Sequence, residues 1–151
     1  KRQVADEFHI LNNYVHLQEF RYQGSFRVRY EMEEGAGGCY IPRLILQPLV
    51  ENAILHGIDM KEKNGEIILR AKLEQDRLRL FVIDNGRGMT KEQIDTLLHS
   101  KAKKTNGLSA IGVPNIKERL ELYYGDKGGM VYQSSENGTT VEIFLPAKKE
   151  L

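Results

Sequence analysis

The residues best suited to chemistry fall in three glycine-marked stretches. In the first, QPLVENAILHG (47–57), an apolar helical pattern is interrupted by Gln47, Glu51, Asn52 and His56. Polar groups are costly to bury without partners, so a core helix that carries four of them needs a reason. At helical spacing Asn52 and His56 share one face, and Gln47 and Glu51 share another. The neutral amide oxygen of Asn52 suits Mg²⁺, which takes hard oxygen donors and keeps several waters. Taken alone, the stretch reads more simply as polar groups at a helix edge, hydrogen-bonded to nearby loops.

The second stretch is DNGRGM (84–89). Asp84 ends an apolar strand, and a strand-end carboxylate can accept a hydrogen bond from an exocyclic amine such as adenine presents. Gly86 and Gly88 permit close approach of a ligand or unusual backbone angles. The plainer alternative is an ordinary strand-to-helix turn. The third stretch is GLSAIGVPNIKERL (107–120). Small residues lead into a helix N-terminus, whose free N–H groups and dipole favour phosphate. Lys101, Lys103 and Lys104 lie just upstream, within reach of a polyphosphate, although each alone reads as part of a solvated loop. The Gly-Lys-Ser/Thr ending of a P-loop is absent.

The elements that must hold these stretches follow from periodicity. Residues 3–22 predict a helix whose stripe is Val4, Phe8, Leu11, Val15 and Tyr22, with Gln18 as a polar gap. It fits either a helix packed on its own domain or the end of a longer dimerisation helix. Residues 26–33 alternate as a strand. Pro42 is placed to open a helix running to about His56, with Gly57 as its stop and Pro48 expected to kink its middle. Strands follow at 66–73 and 77–84, joined by a turn at 74–76. A helix at 90–98 opens with Thr90 and carries Gln93 three residues on, a capping box. Residues 99–110 are basic and aperiodic and predict a mobile loop. A helix at 113–124 stops at Gly125, and strands at 130–134 and 139–146 are joined by the turn 136–138. This order predicts a mixed, mostly antiparallel sheet with helices on one face, an α/β (α+β) two-layer sandwich.

The 151 residues are 40% hydrophobic and 28% charged, an ordinary composition for one globular domain. A net charge of +1 gives no bulk attraction for nucleic acid or an anionic membrane. Cys39 is the single cysteine, so no intramolecular disulfide forms, which fits a reducing compartment. There is no signal peptide and no apolar run of bilayer-spanning length. The chain opens on Lys1 rather than Met and reads as a piece of something longer.

Together and in this order, the three stretches resemble the ATP-binding domain shared by sensor histidine kinases, gyrase, the Hsp90 chaperones and the MutL proteins, a Bergerat-type fold. More narrowly, IPRLILQPLVENAILHGI, IDNGRGM, IGVPNIKERL and GTTVEIFLP resemble the LytS/YesM-type sensor histidine kinases of bacteria. NNYVHLQEFRYQGSFRV is similar to the segment joining that family's dimerisation helix to its ATPase domain. The resemblance implies a division at 1–24, the end of a dimerisation helix, and 25–151, the catalytic domain. It implies ATP and Mg²⁺ as ligands, with Asn52 on the metal and Glu51 holding the metal's water shell or the phosphate. It implies Asp84 on the adenine amine, Gly86 and Gly88 around the base, and Gly112 and Asn115 in the last glycine-rich motif. Met89, Val113 and Thr139 complete the implied nucleotide contacts, and residues 99–110 would form the ATP lid.

The function so implied is presentation of Mg-ATP to a histidine on an upstream helix, then phosphotransfer to a response regulator. The parent protein would be a homodimer anchored in the bacterial inner or plasma membrane, with this domain cytoplasmic. There are three departures. Leu55 stands where many relatives have lysine, which removes one phosphate contact, with His56 as partial compensation. Ala110 stands where glycine is frequent. None of His9, His16 and His99 has the Pro-His-Phe context of a phosphoacceptor, which places the acceptor upstream of Lys1. Two other readings compete: a degenerate nucleotide-binding or dimerisation module without kinase activity, and a gyrase- or Hsp90-like ATPase. The latter needs a water-activating glutamate one helical turn before Asn52, where this chain has Pro48.

Overall fold

The computed structural model describes residues 1–57, 64–99 and 108–150. Five strands form one sheet: β2 (Phe26–Met32), β4 (Gly65–Glu74), β5 (Arg77–Asp84), β6 (Gly129–Ser135) and β7 (Gly138–Pro146), in the order β2-β4-β5-β7-β6. Only β2 and β4 run parallel, and the other pairs are antiparallel. A separate two-stranded pairing joins β1 (Arg2–Gln3) to β3 (Tyr40–Ile41).

Period-two alternation decides which face of the sheet is covered. Ile67, Leu69 and Ala71 of β4, Leu78, Leu80 and Val82 of β5, and Val141, Ile143 and Leu145 of β7 are all buried on one face. The opposite face carries charge, with Arg70 Nε 2.6 Å from Glu31 and Arg79 paired to Glu142 at 2.8 Å and to Glu74 at 3.0 Å. The helices α1 (Val4–Arg21), α2 (Gln47–Asn52) and α4 (Leu108–Tyr124) bury their apolar stripes in the same core as the sheet. α3 (Lys91–His99) lies at the periphery with no buried residue. The expected two-layer sandwich is therefore the observed fold.

The stripe of α1 is as predicted, with Val4, Phe8, Leu11 and Val15 buried. The helix is thus packed on this domain, and its C-terminal half leaves Leu17 and Phe20 70% and 88% exposed. The capping box of α3 is present in both halves: Gln93 N–H donates to Thr90 Oγ1 at 3.1 Å, and Thr90 N–H donates to Gln93 Oε1 at 2.9 Å.

Two boundaries differ from expectation. Pro42 does not open a helix. Residues 42–46 form turns that contain Leu44 in the left-handed region (φ 58°), and α2 begins only at Gln47. Pro48 is consequently the second helical residue rather than a mid-helix break. The first N–H groups of a helix lack an intrahelical acceptor, so a residue without one costs nothing there. The second difference is α4, which starts at Leu108, five residues earlier than predicted, and runs through Pro114. Fully or almost fully buried Val113, Ile116 and Leu120 hold this helix on the core; tertiary packing overrides the local cost of the proline. Of the predicted loop 99–110, His99 closes α3, 108–110 are helical, and 100–107 lie outside the described residues.

Candidate functional site

A pocket opens where the C-terminal end of β5 meets α2. Leu49, Asn52 and Ala53 line it from the helix side, Val82 and Asp84 from β5, Thr139 and Val141 from β7, and Met89 from the loop after β5. The sheet register explains the grouping. Asp84 pairs with Thr139, and Val82 with Val141, so the floor is two adjacent rungs of the helix-facing side.

Asp84 is 7% exposed. Its Oδ1 accepts the Gly86 N–H at 2.9 Å. Burial pushes its carboxyl above the ordinary range, opposed by the backbone N–H groups of Gly86 and Thr139. A buried carboxylate held by two backbone donors at the edge of a small apolar pocket is a ready acceptor for a ligand N–H. Next to it Thr139 Oγ1 lies 2.8 Å from Ser134 Oγ, and Ser134 Oγ accepts the Met89 N–H at 2.7 Å. Ser134 therefore pins the end of the DNGRGM loop to the β6–β7 hairpin. It is a site residue that the sequence reading missed; its signal was its place on the inward side of β6, two residues beyond Tyr132.

Gly88 has φ +75°, and a Cβ there would overlap the Ser135 carbonyl oxygen. Both its angle and its neighbour demand glycine. Asn85 turns away from the pocket: its Oδ1 accepts the Glu66 N–H at 2.7 Å and its Nδ2 donates to the Asn64 carbonyl at 3.0 Å. The asparagine of the loop thus ties it to the start of β4.

On α2, Glu51 and Asn52 are 7% and 6% exposed. Gln47 Nε2 donates to Glu51 Oε1 at 3.2 Å, the pairing that helical spacing predicted. Tyr14 of α1 is close enough for the charge of Glu51 to add to burial in raising its phenol. Asn52 Oδ1, by contrast, is buried with no hydrogen-bond partner. After Asn52 the backbone loosens into a π-helical turn, Ala53–Gly57, so the α-helical period that would align Asn52 with His56 ends at Asn52. π-turns of this kind recur at functional sites. His56 is described in its backbone only, and Leu55 is 47% exposed.

Residues of the last glycine-rich motif fall elsewhere. Gly112 lies where α4 crosses α2, and a Cβ there would come within 2.5 Å of Pro48 Cβ. Glycine and proline together let the two helices touch. Val113 is fully buried in the core, and Asn115 is exposed on α4; neither lines the pocket. Lys101, Lys103 and Lys104 lie outside the described residues.

The turn before α2 is held from two sides. Glu7 of α1, 1% exposed, accepts the Leu44 N–H at 3.2 Å and pairs with Arg2 at 3.0 Å. From α4, Arg119 Nη2 donates to the Arg43 carbonyl at 2.8 Å. α1 and α4 thereby fix the entry of the helix that carries Glu51 and Asn52.

Among the described residues no helix is long and apolar enough to cross a membrane, and no cluster of three or more His, Cys, Asp or Glu could hold a metal. The donor set fits Mg²⁺ in another way: one orphaned amide oxygen at a pocket wall, with the remaining positions left to water and ligand.

Comparison with known proteins gives a consistent picture. Residues 41–149 match the family described as histidine kinase-, DNA gyrase B-, and HSP90-like ATPase. The chain is 33% identical over 135 residues to the sensor protein LytS of Staphylococcus epidermidis, covering 89% of this chain and 23% of that protein. It is 29% identical over 149 residues to the sensor histidine kinase YesM of Bacillus subtilis, covering 98% of this chain and 24% of that protein. The chain thus spans about a quarter of the length of these relatives. The catalytic domain of histidine kinase ThkA superposes with a TM-score of 0.71 at 20% identity, covering 96% of each chain. ThkA in complex with the response regulator protein TrrA gives 0.68 at 14% identity, covering 98% of this chain and 41% of that one.

Proposed function

Because this chain belongs to the histidine kinase-, DNA gyrase B-, and HSP90-like ATPase family, we propose that its pocket binds Mg-ATP and that its parent protein is a sensor histidine kinase. The observation that carries the reading is the pairing of two unusual polar groups across one apolar pocket. A buried carboxylate, Asp84, stands on one side and an unpartnered amide oxygen, Asn52 Oδ1, on the other. One suits an adenine amine, and the other a hard cation on the phosphates.

In this reading Asp84 accepts the adenine amine while Gly86 and Thr139 N–H groups hold its carboxylate in place. Met89, Val82 and Val141 enclose the base, and the hydrogen bonds of Ser134 Oγ to Thr139 Oγ1 and from the Met89 N–H keep that wall closed. Asn52 would ligate Mg²⁺, and Glu51, restrained by Gln47, would orient the metal's waters. Mg²⁺, when bound, would offset the charge that builds on the phosphates during transfer. The chain itself supplies no nucleophile. Its contribution is positioning and electrostatics, with the γ-phosphate offered to a histidine of the parent protein. Pro48, one turn before Asn52, offers no base for hydrolysis.

In this reading the parent is dimeric and membrane-attached, and residues 1–24, whose helix α1 packs on this domain, join its dimerisation helix to the catalytic domain of residues 25–151. ThkA's complex with TrrA supports a response regulator as the acceptor. The test is incubation of the full-length parent with γ-labelled ATP. Acid-labile, base-stable label on the protein, lost in Asn52→Ala, is expected, and this chain alone should stay unlabelled. Rapid ATP turnover with no protein label would overturn the kinase reading in favour of an ATPase.

A further inference from the structure

Asn52 is not the only buried polar group left without a partner. The hydroxyl of Tyr132 is buried and makes no hydrogen bond. Tyr132 lies on β6 directly opposite Val141, which itself pairs with Val82. It therefore extends the rung that forms half of the pocket floor. The neighbouring rung runs Asp84–Thr139–Ser134, and there every side chain is engaged. Tyr132 is not itself a lining residue of the pocket; it stands one strand, about 4.8 Å, beyond Val141, which is one. Asp84 is near enough for its charge to add to burial in raising the phenol, so Tyr132 stays a neutral O–H.

Resting on the nucleotide reading above, we propose that Tyr132 is a third group of the base subsite: its hydroxyl is linked through one water to the purine edge beside the amine that faces Asp84. A tyrosine is suited to this place because it sits opposite Val141 and its hydroxyl can donate toward a ring nitrogen flanking that amine. In the free protein the hydroxyl is a burden, since a buried unpaired donor is destabilising. Phenylalanine would keep the ring and remove the burden.

The chain contains its own control. Tyr30, on β2 at the far edge of the sheet, also has a buried unpartnered hydroxyl and packs on Phe8 of α1 with ring centroids 5.8 Å apart. If such hydroxyls are packing accidents only, Tyr132→Phe and Tyr30→Phe will behave alike. The experiment is thermal unfolding of both variants without nucleotide, together with calorimetric titration by ATP. Both should unfold at or above the wild-type temperature. Only Tyr132→Phe should weaken ATP binding, by about five- to tenfold, the size of one neutral hydrogen bond. Unchanged ATP affinity in Tyr132→Phe, or an equal loss in Tyr30→Phe, overturns the assignment. Failure of the wild type to bind ATP overturns the nucleotide reading, and this assignment with it.

Discussion

Replacing Asn52 with leucine should move stability and function in opposite directions. In the free protein Asn52 Oδ1 is buried with no partner, although the residue sits on a helix whose neighbours Leu49 and Val50 are core. An unsatisfied buried acceptor costs about 1–3 kcal/mol. Leucine has nearly the same volume and good helix propensity, and it packs beside Leu49 and Val82 without that cost. Asn52→Leu should therefore raise stability by about 1–2 kcal/mol, which for a chain of this size is roughly 2–8 °C in Tm. Thermal and urea unfolding of the free protein would read it. ATP titrations of the same variant, with and without Mg²⁺, should become indistinguishable from each other, because the metal's protein ligand is gone. Destabilisation would show that Oδ1 is satisfied in solution and is no open ligand position. Retained Mg²⁺ dependence would show that the metal is held elsewhere.

Asp84 gives a stability profile of definite sign. Its carboxyl is held above the ordinary value chiefly by burial, so the folded chain binds that proton more tightly than the unfolded one. The associated stability is present below the unfolded value and lost as pH rises through the folded one; Asp84→Asn should flatten that descent above pH 4, as followed by unfolding across pH. An unchanged profile would mean that the carboxyl is not perturbed. Gly88→Ala should cost at least about 1–2 kcal/mol from its left-handed backbone alone, with the overlap on the Ser135 carbonyl added. A variant as stable as wild type in urea would mean that the loop after β5 is free to move. Glu7→Ala should lose about 1.5–3 kcal/mol by releasing Leu44 and Arg2, and Glu7→Gln, which still accepts the Leu44 N–H, should recover part of it. Equal losses would assign the effect to the Arg2 ion pair instead of the turn before α2.

Much of the fold was legible because alternation is a strong signal where one sheet face is buried. β5 begins and ends where its pattern places it, and the α1 stripe is the observed core face. The misreadings share a cause. Pro42 and Pro48 read as local punctuation, yet each is decided by what surrounds it. Pro42 lies in a turn that Glu7 and Arg119 brace from other helices, Pro48 is harmless as the second residue of a short helix, and Pro114 is carried by the buried residues around it. The geometry of the candidate site was legible where backbone and side chain act locally, as with Asp84 and the two glycines after it. Ser134 and Tyr132 were not, because nothing in VYQSS says that its inward side runs along the rungs of Asp84 and Val82. That adjacency arises only from strand order, with β7 between β5 and β6.

The most direct test of the nucleotide site is isothermal titration of the wild-type chain and Asp84→Asn with ATP in the presence of Mg²⁺. The account predicts wild-type binding that falls about ten- to a hundredfold in the variant, the worth of one charge-assisted hydrogen bond. Equal affinity in both would contradict the placement of adenine at Asp84, and no binding by a folded wild type would contradict the site itself.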